Sequence, residues 1–319
     1  MRRSEFLKSL LAAAAAGSLP GIASAAPSLK MMIPANPGGG WDGTGRALGK
    51  AFTEAKVFDA VQFENKGGAA GAIGLAQFVN SAKGDPNAMI MMGAVMLGGI
   101  ITGKPPVNIT QCTPIARLTS EFNVFVVPAN SPFKNMKDVA EAMKKDPGSV
   151  KVGGGSRGST EHIAASMMAR AIGVDPKKVN YVPFRGGGEA VAAIIGGNVS
   201  LGGSGYSEFA EHIKSGKMRA IGVTSEKRLK GIDVATLREQ GIDVVLGNWR
   251  GVYGAPGITP AQQADLVKAV VTATKSAFWQ AELEKQGWTS ALLTGKEFGD
   301  FVDNDFANLR GTMYQAGML

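Results

Sequence analysis

The chain has 319 residues but contains only one cysteine, Cys112, and two histidines, His162 and His212. One cysteine excludes an intramolecular disulfide, so we expect Cys112 to be a buried structural thiol. Zinc sites need several Cys or His ligands at short, regular spacing, and that spacing is missing. The glycine-rich P-loop pattern that binds nucleotide phosphates is missing too. We therefore expect no metal ion and no cofactor.

Long apolar runs are also missing, apart from a short one near the start. A basic segment, residues 2–8, precedes an apolar stretch over residues 10–17, and Ala23-Ser24-Ala25 supplies the small residues that signal peptidase requires. The apolar stretch is shorter than the roughly 20 residues that cross a bilayer. We expect residues 1–25 to be a signal peptide cleaved before Ala26, and the mature chain to be periplasmic. One residue too many separates the twin arginines from the next phenylalanine, so Sec and Tat export both stay open.

Positive charge is in mild excess in this sequence. Without the leader, 31 basic and 25 acidic residues leave a net charge of +6. These charges are spread along the chain, without the basic clusters and interleaved aromatics of a nucleic-acid surface. We expect no nucleic-acid partner, whereas the excess suits attraction of a small anion.

Two segments of the chain share the order strand, glycine-rich turn, helix. Residues 29–33 form a predicted strand before Gly38-Gly39-Gly40, and residues 150–152 form one before the glycine-rich run 153–158. Apolar periodicity predicts a helix after each turn. Further strands are predicted at 88–92, 124–127, 179–182 and 218–223, and helices at 71–82, 136–144, 189–195, 207–215 and after Thr259-Pro260. This alternation predicts α/β lobes with mainly parallel sheets.

The mature length favours two lobes, because nearly 300 residues exceed what a single core usually holds. Chain crossings are expected at Val127-Pro128 and within Gly247–Gly251. Lobe I then comprises residues 26–127 together with 250–319, and lobe II comprises residues 128–249. A double crossing acts as a hinge, and the cleft between two lobes is where ligands usually bind.

The two glycine-rich turns are candidate anion sites. A turn that opens a helix presents backbone N–H groups at the positive end of the helix dipole and binds carboxylate or phosphate. The alternative is that the glycines only permit tight turns, but two turns at matching places favour binding. Asp42 would repel an anion, so we expect it to cap the helix and orient the loop. Trp41 either closes over the ligand or fills the core.

The second turn also matches two enzyme motifs. Gly154-Gly155-Ser156-Arg157-Gly158 fits G-x-S-x-G, the nucleophile elbow of serine hydrolases. His162 lies on the helix that Ser156 introduces, and Asp233 follows His212, so the required Ser–Asp–His order is poorly matched. The overlapping G-x-G-x-x-G match to dinucleotide-binding proteins is weak when it stands alone. A secreted serine hydrolase remains the alternative to a binding protein.

The same turns, with further segments, resemble the substrate-binding component of tripartite tricarboxylate transporters, the Bug/TctC-like periplasmic receptors. The resemblance covers essentially the whole mature chain in order. It rests on Pro37-Gly38-Gly39-Gly40-Trp41-Asp42, on residues 64–71, 153–162, 182–190, 205–209 and 216–220, and on Asn248-Trp249-Arg250-Gly251-Val252.

The resemblance implies a two-lobed type II periplasmic-binding-protein fold with a ligand cleft between the lobes, and no enzyme activity. In that family, ligand carboxylates are held by main-chain amides of two strand-to-helix loops, often through water. Here those loops are Gly38–Asp42 and Ser156–His162, with His162 positioning the second. The resemblance also implies a small tricarboxylate or dicarboxylate ligand, a membrane permease with two kinds of subunit as partner, and a monomeric receptor.

Relatives often carry a small residue or a lysine where this chain has Arg185. Arg185 and Arg157 are placed where a guanidinium could pair with a ligand carboxylate through two parallel hydrogen bonds. The alternative is that both point into solvent. The full set of expected ligand-binding residues is Gly38, Gly39, Gly40, Trp41, Asp42, Ser156, Arg157, Ser159, Thr160, His162, Arg185, Gly186, Ser204 and Tyr206. No catalytic residue is expected.

Overall fold

The computed structural model describes residues 28–319, so the expected signal peptide lies outside the described residues. The strands are β1 (Ser28–Ile33), β2 (Ala60–Asn65), β3 (Ala88–Gly93), β4 (Thr113–Pro128), β5 (Lys151–Gly154), β6 (Asn180–Pro183), β7 (Leu201–Gly205), β8 (Met218–Val223), β9 (Gly247–Gly254) and β10 (Thr289–Thr294). The helices are α1 (Gly40–Glu54), α2 (Ala72–Ser81), α3 (Ala94–Gly103), α4 (Met136–Lys145), α5 (Thr160–Ala171), α6 (Gly187–Ile195), α7 (Tyr206–Lys214), α8 (Pro260–Thr274), α9 (Ala277–Gln286) and α10 (Gly295–Gln315).

The long strand β4 carries the chain from one half of the sheet to the other. Its first part, residues 113–122, pairs with β9 and β10. Its second part, residues 123–128, pairs with β7 and β8. The first half of the sheet therefore contains β2, β1, β3, β9 and β10, and the second contains β7, β5, β6 and β8.

The prediction of mainly parallel sheets is wrong. β1 pairs in parallel with β2 and β3, and β5 pairs in parallel with β6 and β7. The pairings of β4 with β7, β8, β9 and β10, and that of β3 with β9, are antiparallel. The reason is that β4 leaves the first half of the sheet while β9 returns to it, so the two crossing strands run in opposite directions.

Buried apolar side chains separate into clusters that follow the two halves of the sheet. One cluster draws on residues 29–118 and 249–313, with Ile163 as its one member from elsewhere. Two others draw on residues 124–244 and pack against the second half. The lobe boundaries at 127 and 249 stay a prediction, which this separation of cores supports.

The helix starts show how the sequence sets local structure. Thr259 caps α8, because its hydroxyl oxygen accepts from the Gln262 N–H. The Gln262 side-chain oxygen accepts from the Thr259 N–H in turn, and the two hydrogen bonds form a capping box. Ser159 caps α5 by accepting from the His162 N–H at 3.4 Å. α1 begins at Gly40, the last glycine of the first glycine-rich turn. Among residues 28–319, no helix has both the length and the apolar character of a membrane span.

Backbone contact between α3 and the turn before α5 joins the two halves of the molecule. A Cβ added at Gly98 would overlap the carbonyl oxygen of Gly158. Gly158 has φ +84°, and a Cβ there would lie 2.6 Å from the Gly98 carbonyl oxygen. Both positions therefore need glycine. Gly98 needs it because the two backbones approach closely, and Gly158 needs it for that reason and for its left-handed conformation.

We predict that Gly98→Ala lowers the free energy of unfolding by about 1–3 kcal/mol, because the added methyl must push the two backbones apart. Gly103→Ala is the matched control, since it lies on the same helix and a Cβ there meets nothing within 4 Å. That control should be neutral or stabilise by up to about 1 kcal/mol. Urea unfolding of both variants checks this, and equal stability of the two would contradict the close contact.

Candidate functional site

A cavity lies where three glycine-rich turns meet. The turns follow β1, β5 and β6 and lead into α1, α5 and α6. They contribute Gly39, Gly40, Trp41, Gly155, Ser156, Arg185, Gly186 and Gly187 to the cavity wall. The rest of the wall is Pro34, Ala35, Gly68, Ala70, Gly71, Val95, Glu161, Phe184, Ala190, Gly203, Ser204, Glu208, Asn248 and Arg250. Because ligands of open α/β sheets bind beyond the carboxyl ends of parallel strands, this central cavity is the candidate site.

The first turn is held in place by Asp42. Its carboxylate accepts from the Gly38 N–H at 3.0 Å, from Arg46 Nε at 2.9 Å and from Asn65 Nδ2 at 2.9 Å. Burial opposes ionisation of Asp42, but the hydrogen bonds from Arg46, Gly38 and Asn65 outweigh it and lower its pKa. Asp42 therefore orients the loop, but the prediction that it caps the helix is wrong: Gly39 is the N-cap residue of α1, and no side chain caps it. Asp42 is not part of the cavity wall.

Trp41 forms part of the cavity wall and is itself only 8% exposed. Its ring lies against Gly71, where an added Cβ would come within 2.9 Å of the Trp41 ring carbon Cζ3. Trp41 thus satisfies both interpretations of the sequence: it belongs to the buried core and presents a face to the cavity.

The second turn is held by His162 and Tyr181. The Gly158 N–H donates to His162 Nδ1 at 3.1 Å, and the Tyr181 hydroxyl donates to the Gly155 carbonyl at 2.8 Å. Burial, with a smaller contribution from the nearby Arg157, lowers the pKa of His162 to about 4. His162 is therefore neutral near pH 7, and its Nδ1 is an acceptor that fixes the turn.

The third turn carries Arg185 and contacts the first. Arg185 is exposed, lies on the cavity wall, and donates its backbone N–H to Glu189 Oε2 at 3.2 Å. The other oxygen of Glu189 accepts from Asn36 Nδ2 at 2.8 Å, so one carboxylate joins residues near the first and third turns.

Four ionisable side chains lie together at the cavity: the buried Arg250 and Glu161 and the partly buried Glu208 in its wall, and the buried Glu121 behind it. We refer to them as the charge cluster. Arg250 is 2% exposed and forms ion pairs with Glu121 and, at 3.5 Å, with Glu208. Its Nη1 also donates to the Thr44 hydroxyl at 3.1 Å.

Glu161 has no such cation beside it. Its Oε2 is buried without a hydrogen-bond partner among the described residues. The nearby Ser159 hydroxyl is engaged with Tyr181 at 3.0 Å and with the His162 N–H. Burial raises the pKa of Glu161 to about 7, because removal from water disfavours the charged form.

The fourteen expected ligand-binding residues divide equally. Gly39, Gly40, Trp41, Ser156, Arg185, Gly186 and Ser204 line the cavity, whereas Gly38, Asp42, Arg157, Ser159, Thr160, His162 and Tyr206 lie outside its wall. Sequence analysis did not single out Glu161, Glu208, Asn248 or Arg250. Arg250 had one available signal, since it falls inside an apolar segment where a charge needs a partner.

The chemistry of the described residues is that of a binding site. Within residues 28–319, no group of three or more His, Cys, Asp or Glu side chains is placed to hold a metal ion. His162 accepts from the Gly158 N–H through its Nδ1, so this nitrogen holds the turn that contains Ser156 and is not free to act as a base.

Comparison with known proteins identifies the family. The model of the TctC family, described as the tripartite tricarboxylate transporter family receptor, matches residues 48–313. The chain belongs to this receptor family. The resemblance inferred from the sequence is therefore confirmed, and since members are binding receptors, the chain is a solute-binding protein and the hydrolase alternative is not favoured.

Individual members of the receptor family are distant from this chain in sequence. Protein BugT of Bordetella pertussis is 23% identical over 294 residues, covering 91% of this chain and 89% of BugT. The structure of the periplasmic binding protein BugD has a TM-score of 0.81 at 24% identity and covers 91% of this chain and 98% of BugD. MatC from Rhodopseudomonas palustris, solved with bound malate, has a TM-score of 0.79 at 21% identity, and the match covers 89% of this chain and 98% of MatC. These structures confirm the two-lobed periplasmic-binding fold.

We predict that Glu161→Gln changes how the receptor's stability depends on pH. The pKa of Glu161 rises from 4.5 to about 7 on folding, so its protonated form stabilises the fold below pH 4.5, and this contribution is lost as the pH rises through 7. Relative to Glu161→Gln, the free energy of unfolding of the wild type should fall by on the order of 2–3 kcal/mol between pH 4.5 and 8.

Urea unfolding at pH values from 4.5 to 8 measures this difference. Glu141→Gln is the control, because the Glu141 side chain is 65% exposed and is not part of the cavity wall. A wild-type-minus-variant difference that stays constant with pH would show that Glu161 is not desolvated in the fold.

Proposed function

We propose that this receptor captures a small tricarboxylate or dicarboxylate in the central cavity and delivers it to the permease subunits of a tripartite tricarboxylate transporter. The observation that carries the proposal is the convergence of three glycine-rich turns on one cavity. We further propose that residues 1–25 are a cleaved signal peptide and that the receptor acts as a monomer in the periplasm.

Two helix N-termini at the cavity support an anionic ligand. α1 begins at Gly40 and α6 at Gly187, and neither helix has a side-chain cap at its described N-terminus. Gly39, Gly40, Gly186 and Gly187 all line the cavity. Uncapped N–H groups at the positive ends of two helix dipoles favour a carboxylate without any charged side chain.

Arg185 supplies a cation at the rim of the same cavity. It is exposed, so it retains its hydration until a ligand arrives, and its planar guanidinium suits a carboxylate. MatC, which shares the fold, binds malate, and this supports a small carboxylate as the ligand class here.

We propose that the expected residues have two roles. Those on the wall contact the ligand directly or through water: Gly39, Gly40, Trp41, Ser156, Arg185, Gly186 and Ser204. Those behind the wall hold the turns: Gly38 and Asp42 for the first turn, and Ser159 and His162 for the second. Of the other three, Thr160 donates to Asn123 Oδ1 and Tyr206 packs against the apolar core of the second lobe. Arg157 is exposed, and we propose that only its charge acts on the ligand.

Closure of the two lobes is part of the proposal. The first and third turns already touch, since a Cβ at Gly39 would lie 3.0 Å from the Gly187 nitrogen. Ligand entry therefore requires the lobes, residues 26–127 with 250–319 and residues 128–249, to separate. We place the hinge in β4 and β9, the strands that connect the lobes.

We predict that Arg185→Ala weakens binding of a carboxylate by about 1.5 kcal/mol, the lower end for a hydrogen bond to a charged group, because the side chain is partly screened. Arg157→Ala is the matched control and should change affinity by less than about twofold. A thermal-shift screen with malate, succinate, adipate and citrate selects the ligand, and calorimetry measures both variants. Affinity of Arg185→Ala within a factor of two of wild type would remove Arg185 from the site.

A further inference from the structure

Negative charge is in excess at the base of the cavity. Glu121, Glu161 and Glu208 lie there with Arg250, so three carboxyl groups accompany one guanidinium. Glu121 and Glu161 are 5% and 4% exposed, which leaves little water to screen them. Burial of a charge is tolerated only when the charge is paired or neutralised, so a carboxyl group that Arg250 does not pair either stays protonated or meets a further positive group.

Arg250 pairs with other groups and forms no ion pair with Glu161 among the described residues. Its guanidinium is shared between Glu121 and Glu208 and donates a third contact to Thr44. Glu208 is partly satisfied, since its Oε1 accepts from the Ser204 hydroxyl at 2.8 Å. Glu161 is therefore the carboxyl group of the cluster that has no cation beside it.

Glu161 faces the cavity from the first turn of α5. It forms part of the cavity wall, and its Oε2 is buried without a hydrogen-bond partner among residues 28–319. That oxygen lies 3.4 Å from where a Cβ of Gly155 would be. Gly155 and Gly203 both lie against Glu161 and also line the cavity, so no side chain from either position stands beside the carboxyl group.

We propose that Glu161 receives a protonated amine of the ligand, so that the solute is an amino carboxylate and not a plain dicarboxylate or tricarboxylate. The ligand's carboxylate would lie towards the glycine-rich turns and Arg185, and its ammonium group towards Glu161 at the base. This inference rests on the proposed function and specifies its ligand.

Electrostatics favour this occupant over a plain polyacid. A second ligand carboxylate at the base would meet Glu161 and Glu208, and like charges repel strongly in a desolvated site. An ammonium group there satisfies the free oxygen of Glu161 and offsets the excess charge of the cluster.

Calorimetry with matched acids on the purified receptor tests the proposal. The pairs are aspartate and succinate, glutamate and glutarate, and 2-aminoadipate and adipate, with citrate as a tricarboxylate. We expect at least one amino acid to bind at least tenfold tighter than its amine-free partner. Glu161→Gln should abolish that preference, whereas the exposed control Glu141→Gln should keep it.

The sign of proton exchange provides a second readout. At pH 7, pairing with an ammonium should release a proton from Glu161, whereas a protonated Glu161 that donates to a ligand carboxylate would cause proton uptake. Around Glu161, the pKa of Tyr181 is raised far above neutral and that of His162 is about 4, so neither titrates at pH 7. Glu121 and Glu208 also face this region, as does Arg250. The difference in proton exchange between wild type and Glu161→Gln, measured in buffers of different ionisation enthalpy, therefore assigns the proton.

The two proposals fail in different ways. If the amine-free acids bind as tightly as their amino partners, or if binding takes up a proton through Glu161, the amine assignment is overturned while carboxylate binding stands. If none of the seven acids binds the wild type, carboxylate capture itself is contradicted, and the amine assignment falls with it.

Discussion

The buried guanidinium of Arg250 is the interaction on which the rest of the site depends. Arg250 lies on β9, and its partners come from β4, α7 and α1: Glu121, Glu208 and Thr44. It therefore joins both crossing strands to a helix from each lobe. Removal of one member of a buried ion pair costs about 3–5 kcal/mol, because the charge left behind is unpaired, so this arrangement is maintained as a unit.

The charge cluster also explains part of the glycine-rich first turn. A Cβ at Gly40 would overlap the Arg250 guanidinium and lie 2.6 Å from Glu208 Oε1. Glycine there lets the N-terminus of α1 approach the cluster closely, so the turn is shaped by packing as well as by its exposed N–H groups. The two interpretations of the glycine-rich turns, tight packing and anion binding, are therefore compatible in this receptor.

Local signals in the sequence were sufficient to predict the first two glycine-rich turns and the starts of most helices. Glycine runs after apolar strands predicted the first two turns, and Thr259-Pro260 predicted the start of α8. The charge cluster could not be predicted from the sequence, because its four residues are far apart in the chain and are brought together only by the fold. A glutamate in the first turn of a helix ordinarily faces water and stabilises the dipole, so nothing local marked Glu161 as buried.

The missed C-terminal helix is a different case. α10 buries Phe298, Val302, Leu309 and Met313, and this spacing repeats on one helical face. The pattern was present but sparse, since the remaining residues of the helix are largely polar. The direction of β9, by contrast, depends on how the chain returns from the second lobe, which no local pattern contains.

The most direct test of the account is a crystal structure of the receptor with the tightest-binding acid. We expect the ligand to fill the central cavity, with a carboxylate at the uncapped N–H groups of the first or third turn, where α1 and α6 begin, directly or through one water. A ligand bound outside this cavity, or one with its carboxylate remote from both turns, would contradict the central claim that these turns form the anion site.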